Sequence, residues 1–339
     1  MGGPHSVDVD VAVVIVTYKS ALPAIDSLRS LHAERTTPRL QIRVIVVDNA
    51  SGDLPQIAQA VASYGWSDWV TLVAAPRNGG FAYGNNLGME RAYAAGRPDY
   101  IYLLNPDTQV REGAIGTLTG FLESHPEVGI AGSSFETRDG RDWPFAFRFP
   151  SLASEIDDGL ETGVVTRLLQ RYVVARCMGR TTPEVVDWIS GASMMIRPEV
   201  FMTIGGLDEN YFLYFEETDF CRRARAAGFS TWYVPGSRVM HVGGHSTQVT
   251  GAYAGTKRFP SYWFESRRRY FVRAFGIRHA MVIDLTAILA NSLGWLKRAL
   301  LRRRHAKPYF IRDLVRHSVL WRANRDVRPL RCWRPHGEC

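Results

Sequence analysis

The acidic residues of this chain fall where chemistry would use them. Asp48 closes the apolar run Ile42–Asp48 (IRVIVVD), and Asp107 follows a second run, Tyr100–Leu104, in the turn LLNPDT. A carboxylate on a stiff turn after a strand is a candidate metal ligand, and one at a neighbouring strand end can accept hydrogen bonds from a nucleobase or ribose. Each has a plainer reading: Asp48 as an Asx-turn or helix cap, NPDT as a turn before a helix. The segment YFLYFEETDF sets Glu216, Glu217 and Asp219 within four positions, directly after Tyr211, Phe212, Tyr214 and Phe215. Carboxyls against aromatic walls are candidates for a raised pKa and for general-base work. The alternative is the acidic first turn of an amphipathic helix. His241 ends the run RVMH before VGGH. It is a candidate second metal ligand beside Asp107, with a structural histidine as the alternative.

These residues need a frame, and the first 135 residues supply one. Val11–Thr17 (VAVVIVT), Ile42–Asp48, Trp69–Ala74, Tyr100–Leu104 and Val128–Gly132 read as strands, the first two as continuous β-branched runs covered on both faces. Helices are expected over Leu22–Glu34, from Asp53-Leu54-Pro55 to about Tyr64, over Phe81–Ala95 and over Glu112–Glu123. Strands alternating with helices at this spacing predict an α/β fold with a mostly parallel, doubly wound sheet. Residues 134–184 break the rhythm and read as a mostly helical insertion. Pattern returns at Val185–Ile196, in a helix over Glu217–Ala227 and in a strand at Ser230–Val234. A dinucleotide site would need G-x-G-x-x-G after the first strand. That strand runs into TYKS instead, the glycine cluster NGGFAYGNN follows the third strand, and a Walker A loop is absent.

At 339 residues, with 46% hydrophobic and 22% charged residues, the chain can bury a large core. No apolar run reaches the ~18 residues of a membrane span. MGGPHSVDVD lacks the basic and apolar regions of a cleaved signal. Cys177, Cys221, Cys332 and Cys339 show no metal or framework spacing and read as free thiols in a reducing compartment.

The net charge of +8 conceals an asymmetry: residues 257–339 hold 20 Lys and Arg against 5 Asp and Glu, while the remainder is acidic. This predicts an acidic catalytic domain over 1–256 and a basic, helical region over 257–339. Met281, Leu285, Ile288, Leu289, Leu293, Leu296 and Leu300 recur on one helical face, with Trp295 near Lys297-Arg298 and Arg302-Arg303-Arg304. That is the composition of a helix lying in an anionic membrane interface, and Tyr309–Trp321 adds a second basic stretch. The alternatives are packing on the catalytic domain or in a homodimer seam. Nucleic acid is not the expected partner, because no RNP, zinc-finger or helix-turn-helix pattern accompanies the charge.

The ordered motifs VVIVTYKS, VVDNASGD, RNGGFAYGNN, YLLNPDT, ISGASMMIRPEVFMTIGGLDENYFLYFEETDFCRRARAAGF and VMHVGGHST resemble family 2 glycosyltransferases, closest to the bacterial rhamnosyltransferase-like branch. The resemblance spans about residues 10–250. It implies a GT-A fold and inverting transfer from a nucleotide-diphosphate-sugar, with dTDP-β-L-rhamnose the preferred donor and another UDP-hexose the alternative. The acceptor would be a polysaccharide or polyprenyl-diphosphate-linked saccharide of the cell envelope, met at the cytoplasmic face of the membrane. It further implies a divalent cofactor, Mg2+ or Mn2+, on Asp107 and His241. Thr17 and Tyr18 would lie at the nucleotide edge and Asp48 would hold the base. Asn78, Gly80 and Asn85 would border the donor, Gly191 and Ala192 the acceptor. Glu217 would be the base, with Glu216 and Asp219 on the acceptor side as its rivals. Two positions depart from the family pattern: N-P-D replaces D-x-D, and Glu-Glu replaces Glu-Asp. A non-catalytic module that only binds a sugar nucleotide or nucleic acid is the alternative of a different class, and retention of Asp107, Glu217 and His241 argues against it.

Overall fold

Both faces of the first strand are buried, which explains its unbroken apolar sequence: Val11, Val13 and Ile15 enter one core, Ala12, Val14 and Val16 the other. The computed structural model describes residues 8–143, 145–179, 181–241, 258–302, 307, 309–322 and 328–335. Residues 1–7 of the N-terminus, Arg303-Arg304, Cys339 and the segment VGGHST after His241 lie outside them.

Strands and helices alternate as β1 (Val9–Thr17), α1 (Ala21–Glu34), β2 (Leu40–Asp48), α2 (Leu54–Ser63), β3 (Val70–Ala74), α3 (Gly80–Ala94), β4 (Tyr100–Leu104), β5 (Thr108–Val110), α4 (Ala114–Ser124) and β6 (Val128–Glu136). The middle of the chain forms β7 (Asp142–Trp143), β8 (Phe145–Phe147), α5 (Leu152–Leu160), α6 (Gly163–Leu168), β9 (Ala175–Cys177) and β10 (Glu184–Val186). There follow β11 (Ser193–Ile196), α7 (Pro198–Ile204), α8 (Glu216–Ala226) and β12 (Ser230–His241). The C-terminal region holds α9 (Ser261–Leu300), α10 (Phe310–His317) and α11 (Val319–Arg322).

The main sheet runs β10-β12-β6-β11-β4-β1-β2-β3, with β5 added to β12 and β7 to β6. Its β4-β1-β2-β3 half is parallel, as is β12 on β6, which is the expected mostly parallel, doubly wound arrangement. Helices α1, α2 and α4 cover one face, α3, α7 and α8 the other. Strand β11 is the exception, antiparallel to both β4 and β6. A buried hydroxyl relay pins it between them: the Tyr102 and Ser193 hydroxyls meet at 2.7 Å, and Ser193 donates to Ser133 Oγ at 2.7 Å.

The segment 134–184 is mixed and not mostly helical. Strand β6 continues to Glu136, β7 pairs with it, and β8 with β9 forms a separate antiparallel ladder. The Arg- and aromatic-rich stretches that suggested helix alternate across these short ladders.

Helix α9 departs from the picture of a detached basic tail. It breaks at Gly276, whose φ of 80° carries no Cβ penalty. Before the break, Arg267, Arg268 and Arg269 all point inward. Arg267 bridges Asp284 at 2.5 Å and Glu155 of α5 at 2.8 Å, and Arg269 donates twice to Asp208, at 2.5 and 2.8 Å. Basic residues that read as surface charge are thus partly spent on internal ion pairs. Asp208 also accepts from Asn210 and from the Arg331 N–H, so the strap 328–335 is tied to the same carboxylate. Cys332 on that strap corrects the free-thiol expectation: it is disulfide-bonded, whereas Cys177 and Cys221 are free.

Removing one member of a buried ion pair strands the other. Asp208→Ala is expected to cost about 3–5 kcal/mol, read by chemical denaturation, and Asp208→Ala with Arg269→Met to recover most of that loss.

Candidate active site

Asp48 and Thr17 end adjacent parallel strands in register. The Asp48 carboxylate accepts from Ser51 N and Oγ at 2.9 and 2.6 Å, from Gly52 N at 3.1 Å and from Asp53 N at 3.2 Å. Those four donors use the acceptor directions a carboxylate has. The Asx-turn reading is therefore what the structure shows, and Asp48 shapes the loop instead of offering a free acceptor to a base. Thr17 is likewise buried and committed, donating to Asp53 Oδ2 at 2.6 Å. Asp53, which the sequence marked only as a helix start, also accepts from the Ser20 N–H and so stitches the two loops together. Tyr18 is the exposed member of this edge.

The glycine-rich segment closes the next side. Asn78 Oδ1 accepts from Gly80 N at 3.1 Å. Gly80 has φ +86°, and a Cβ there would overlap the Phe212 carbonyl that accepts from Phe81 N at 2.9 Å. No other residue permits that approach. Asn85 is buried and donates to the Phe81 carbonyl one turn back. The reach across the site comes from two asparagines that the sequence left unassigned. Asn49 donates to the Gly80 carbonyl at 2.9 Å, and Asn86 holds both N–H and C=O of Leu207 at 3.0 and 2.8 Å. For Asn86 the signal was the periodicity of α3, which turns successive side chains ~100° apart.

Asp107 and His241 meet because β5 pairs antiparallel with β12, setting His241 opposite Thr108. Asp107 Oδ1 lies 3.4 Å from His241 Nε2, both side chains mostly buried, and the imidazole packs against Phe135 and Trp143. Glu136 of β6 braces the strands by pairing with Arg111 and Arg238. Among the described residues no three His, Cys, Asp or Glu side chains gather to hold a metal. One carboxylate with one imidazole does fit a divalent ion whose remaining positions go to substrate oxygens or water.

The acidic triplet separates cleanly. Asp219 is fully buried and paired with Arg223 at 2.8 Å, and Arg223 in turn donates to the carbonyls of Ile204 and Gly206. It is a structural residue, not an acceptor-side one. Glu216 is buried too, its carboxyl pushed well up by burial and by Glu217. Only Glu217 of the three lines a cavity, one of about 260 Å³ bounded by α5, α8, α9 and α10. It takes the Gly191 N–H, and burial lifts its carboxyl to about 7. Gly191 is hemmed by Phe81 and Glu217, while the buried Ala192 donates its N–H to Ser190 Oγ at 3.2 Å and accepts from Asn105 N at 3.2 Å, so linking Glu217's surroundings to the Asp107 turn. A larger cleft, about 580 Å³, opens at the opposite end of the sheet among Arg39, Arg97, Asp99 and Glu123, away from these groups.

The turn before α8 explains the separation. Tyr214 and Phe215 have φ of 70° and 69°, and left-handed conformations cost such residues roughly 1–2 kcal/mol each. Rings of α9 offset that strain: Tyr214 lies against Tyr262, Phe215 against Trp263 and Tyr270, and Ser266 Oγ donates to the Leu213 carbonyl at 3.0 Å.

A doubly wound sheet with acidic residues and an imidazole at its carboxyl ends is the frame of a GT-A type glycosyltransferase fold. A family model described as "Glycosyltransferase like family 2" matches residues 8–271, and the chain belongs to that family. It is 33% identical over 248 residues to the N-acetylglucosaminyl-diphospho-decaprenol L-rhamnosyltransferase of Mycobacterium tuberculosis, covering 69% of this chain and 76% of that one. It is 25% identical over 243 residues to the dTDP-rhamnosyl transferase RfbF of Shigella flexneri, covering 71% and 72%. The fold is similar to that of the mannosyltransferase PcManGT from Pyrobaculum calidifontis in complex with GDP-Man and Mn2+, with a TM-score of 0.52, 15% identity, and coverage of 87% of this chain and 75% of that one.

Glu217 also links stability to pH. Between the ordinary value of 4.5 and about 7 the native state holds a proton that the unfolded chain has lost, so stability falls as pH rises through this window. Glu217→Gln is expected to gain stability relative to wild type at pH 8 compared with pH 5, measured by urea unfolding.

Proposed function

We propose that this protein is an inverting, metal-dependent rhamnosyltransferase of cell-envelope biosynthesis, moving L-rhamnose from dTDP-β-L-rhamnose to a glycan or polyprenyl-diphosphate-linked saccharide. The observation that carries the reading is Glu217, the one carboxyl of its cluster that faces a cavity, with a pKa of about 7. A sugar hydroxyl is a weak nucleophile near neutral pH. Glu217 takes its proton as the oxygen attacks the anomeric carbon, the bond to the nucleoside diphosphate breaks, and a single displacement inverts the centre. Asp107 and His241 would hold the divalent ion, which supplies charge neutralisation for the departing diphosphate. The names of the two relatives support the donor and the acceptor class. The metal has the support of the Asp107–His241 pairing and of the Mn2+ in the mannosyltransferase complex.

Peripheral attachment to the cytoplasmic face of the membrane belongs to the same reading. Among the described residues no helix is long and apolar enough to cross a membrane. Beyond Gly276, helix α9 inverts the usual pattern of a packed helix. Small residues, Ala280, Ala287, Ala290 and Gly294, face the protein, and a Cβ on Gly294 would overlap the Gly159 carbonyl of α5. Leu285, Leu289, Leu293, Leu296 and Leu300 face outward, 49–76% exposed. An anionic bilayer is the occupant that matches this stripe and the basic residues around it.

A donor screen by nucleotide release tests the reading: dTDP-rhamnose, UDP-galactose, UDP-N-acetylglucosamine and UDP-galactofuranose, each with Mg2+, Mn2+ or chelator. Turnover confined to dTDP-rhamnose and lost with chelator is expected, and preference for a UDP-hexose would reassign the donor. Glu217→Gln should lower turnover by roughly 10²- to 10⁴-fold with donor affinity little changed. Asp107→Asn should abolish metal-dependent donor binding in a calorimetric titration. Leu289→Asp with Leu293→Asp should release the protein from anionic vesicles in co-sedimentation.

A further inference from the structure

The middle of the chain carries an apolar surface that neither the catalytic end nor helix α9 accounts for. Val164 and Leu168 of α6 stand four residues apart, on one side of the helix, and are 69% and 76% exposed. Neither α6 nor the 3-10 turn that follows it, Gln170–Tyr172, buries a single residue, so the core does not hold this segment in place. Polar bonds at its root do. Lys297 Nζ of α9 donates to the carbonyls of Leu160 and Glu161 at 2.5 and 2.8 Å and to Thr162 Oγ1 at 2.7 Å, Arg298 pairs with Glu161, and Thr166 Oγ1 donates to Asp157 at 2.6 Å. The segment is thus fastened by its polar side, with its apolar side left outward.

The charge around that side has one sign. Residues 162–183 include four arginines and no Asp or Glu. Arg167 and Arg171 are exposed, and no carboxylate among the described residues pairs with either. Arg171 lies over the ring of Tyr172 at 5.0 Å, which sets a cation and an aromatic ring side by side at the surface. The place is continuous with the leucine stripe of α9. Lys297, which fastens the root of α6, follows Leu293 by four residues and precedes Leu300 by three, so it stands on the edge of that stripe.

We propose that α6 and the turn Gln170–Tyr172 form a second membrane contact, in which Val164 and Leu168 enter the acyl boundary of an anionic bilayer while Arg167 and Arg171 meet its phosphates. The inference rests on the peripheral-membrane reading of α9 and adds a second element to it. Apolar side chains flanked by unpaired cations and an aromatic ring match the interfacial zone of a bilayer, where each group finds its own depth. A second copy of this chain fits less well, because a two-fold contact on this face would bring the same arginines against one another. The second contact has a mechanical consequence. One helix in the interface leaves the protein free to roll about the helix axis, and a contact beside that axis fixes the roll.

Val164→Ser with Leu168→Ser, and Arg167→Gln with Arg171→Gln, change only exposed side chains. Co-sedimentation of the full chain with vesicles of phosphatidylglycerol and phosphatidylcholine, and with phosphatidylcholine alone, gives the apparent affinity of each variant. On the mixed vesicles the serine pair is expected to lose at least tenfold. The glutamine pair should lose roughly 25-fold at low salt, about fivefold for each cation. Leu22→Ser on α1, another exposed leucine, should stay within twofold of wild type. If both pairs stay within twofold while wild-type protein binds, the contact is overturned and α9 stands as the anchor alone. An equal loss in Leu22→Ser marks a general effect of surface leucines and overturns the contact as well. A wild-type dimer in sedimentation velocity that the serine pair breaks up gives the face to a second copy and overturns the lipid assignment. Wild-type protein that stays in the supernatant with anionic vesicles overturns the membrane reading itself, and this contact with it.

Discussion

Everything at the catalytic end of this molecule hangs on one unfavourable turn. Tyr214 and Phe215 hold left-handed backbone that their side chains resist, and without that turn α8 could not present Glu217 to the cavity while burying Glu216 and Asp219. The turn persists because it is overdetermined. Phe212 locks it to Gly80, Asn86 holds the loop at Leu207, Asp208 grips Arg269, and the aromatic rings of α9 close over it. The C-terminal helix is thus a structural member of the candidate site.

Much of the frame could be read from the chain. Continuous β-branched runs gave β1 and β2 because both faces of those strands are covered, and Asp48 and Asp107 were placed correctly at their strand ends. Strand β11 could be located but not oriented, since its antiparallel course depends on a hydroxyl relay with Tyr102 and Ser133 that pairs residues far apart in sequence. The insertion was misread for a related reason: two- and three-residue strands carry too little periodicity to register.

The side chains at the site were legible as types and not as roles. Asp48 and Thr17 have the residue identities of a nucleotide site, yet their hydrogen bonds are consumed within the loops. Asn85 and Asn86 are adjacent and alike, and only the rotation of α3 decides that one bonds its own helix and the other reaches Leu207. Charge was the least transparent feature. Arg267, Arg268 and Arg269 look like solvent-facing or membrane-facing residues in any count, but the partners that meet them inside are scattered along the sequence: Glu155 and Asp284 for Arg267, Asp208 for Arg269 and the His317 carbonyl for Arg268.

The strap at residues 328–335 gives the order of synthesis a physical meaning. Arg331 N–H reaches Asp208 across 123 residues, and the carbonyls of Arg331 and Trp333 accept from Glu209 and Gly206. A chain emerging from the ribosome can assemble its β4-β1-β2-β3 half early, because those contacts are complete by residue 104. The segment 206–209, which leads towards α8, takes partners from the part of the chain made last. A nascent chain can therefore close its parallel half-sheet well before the segment 206–209 meets the strap that completes its hydrogen bonds.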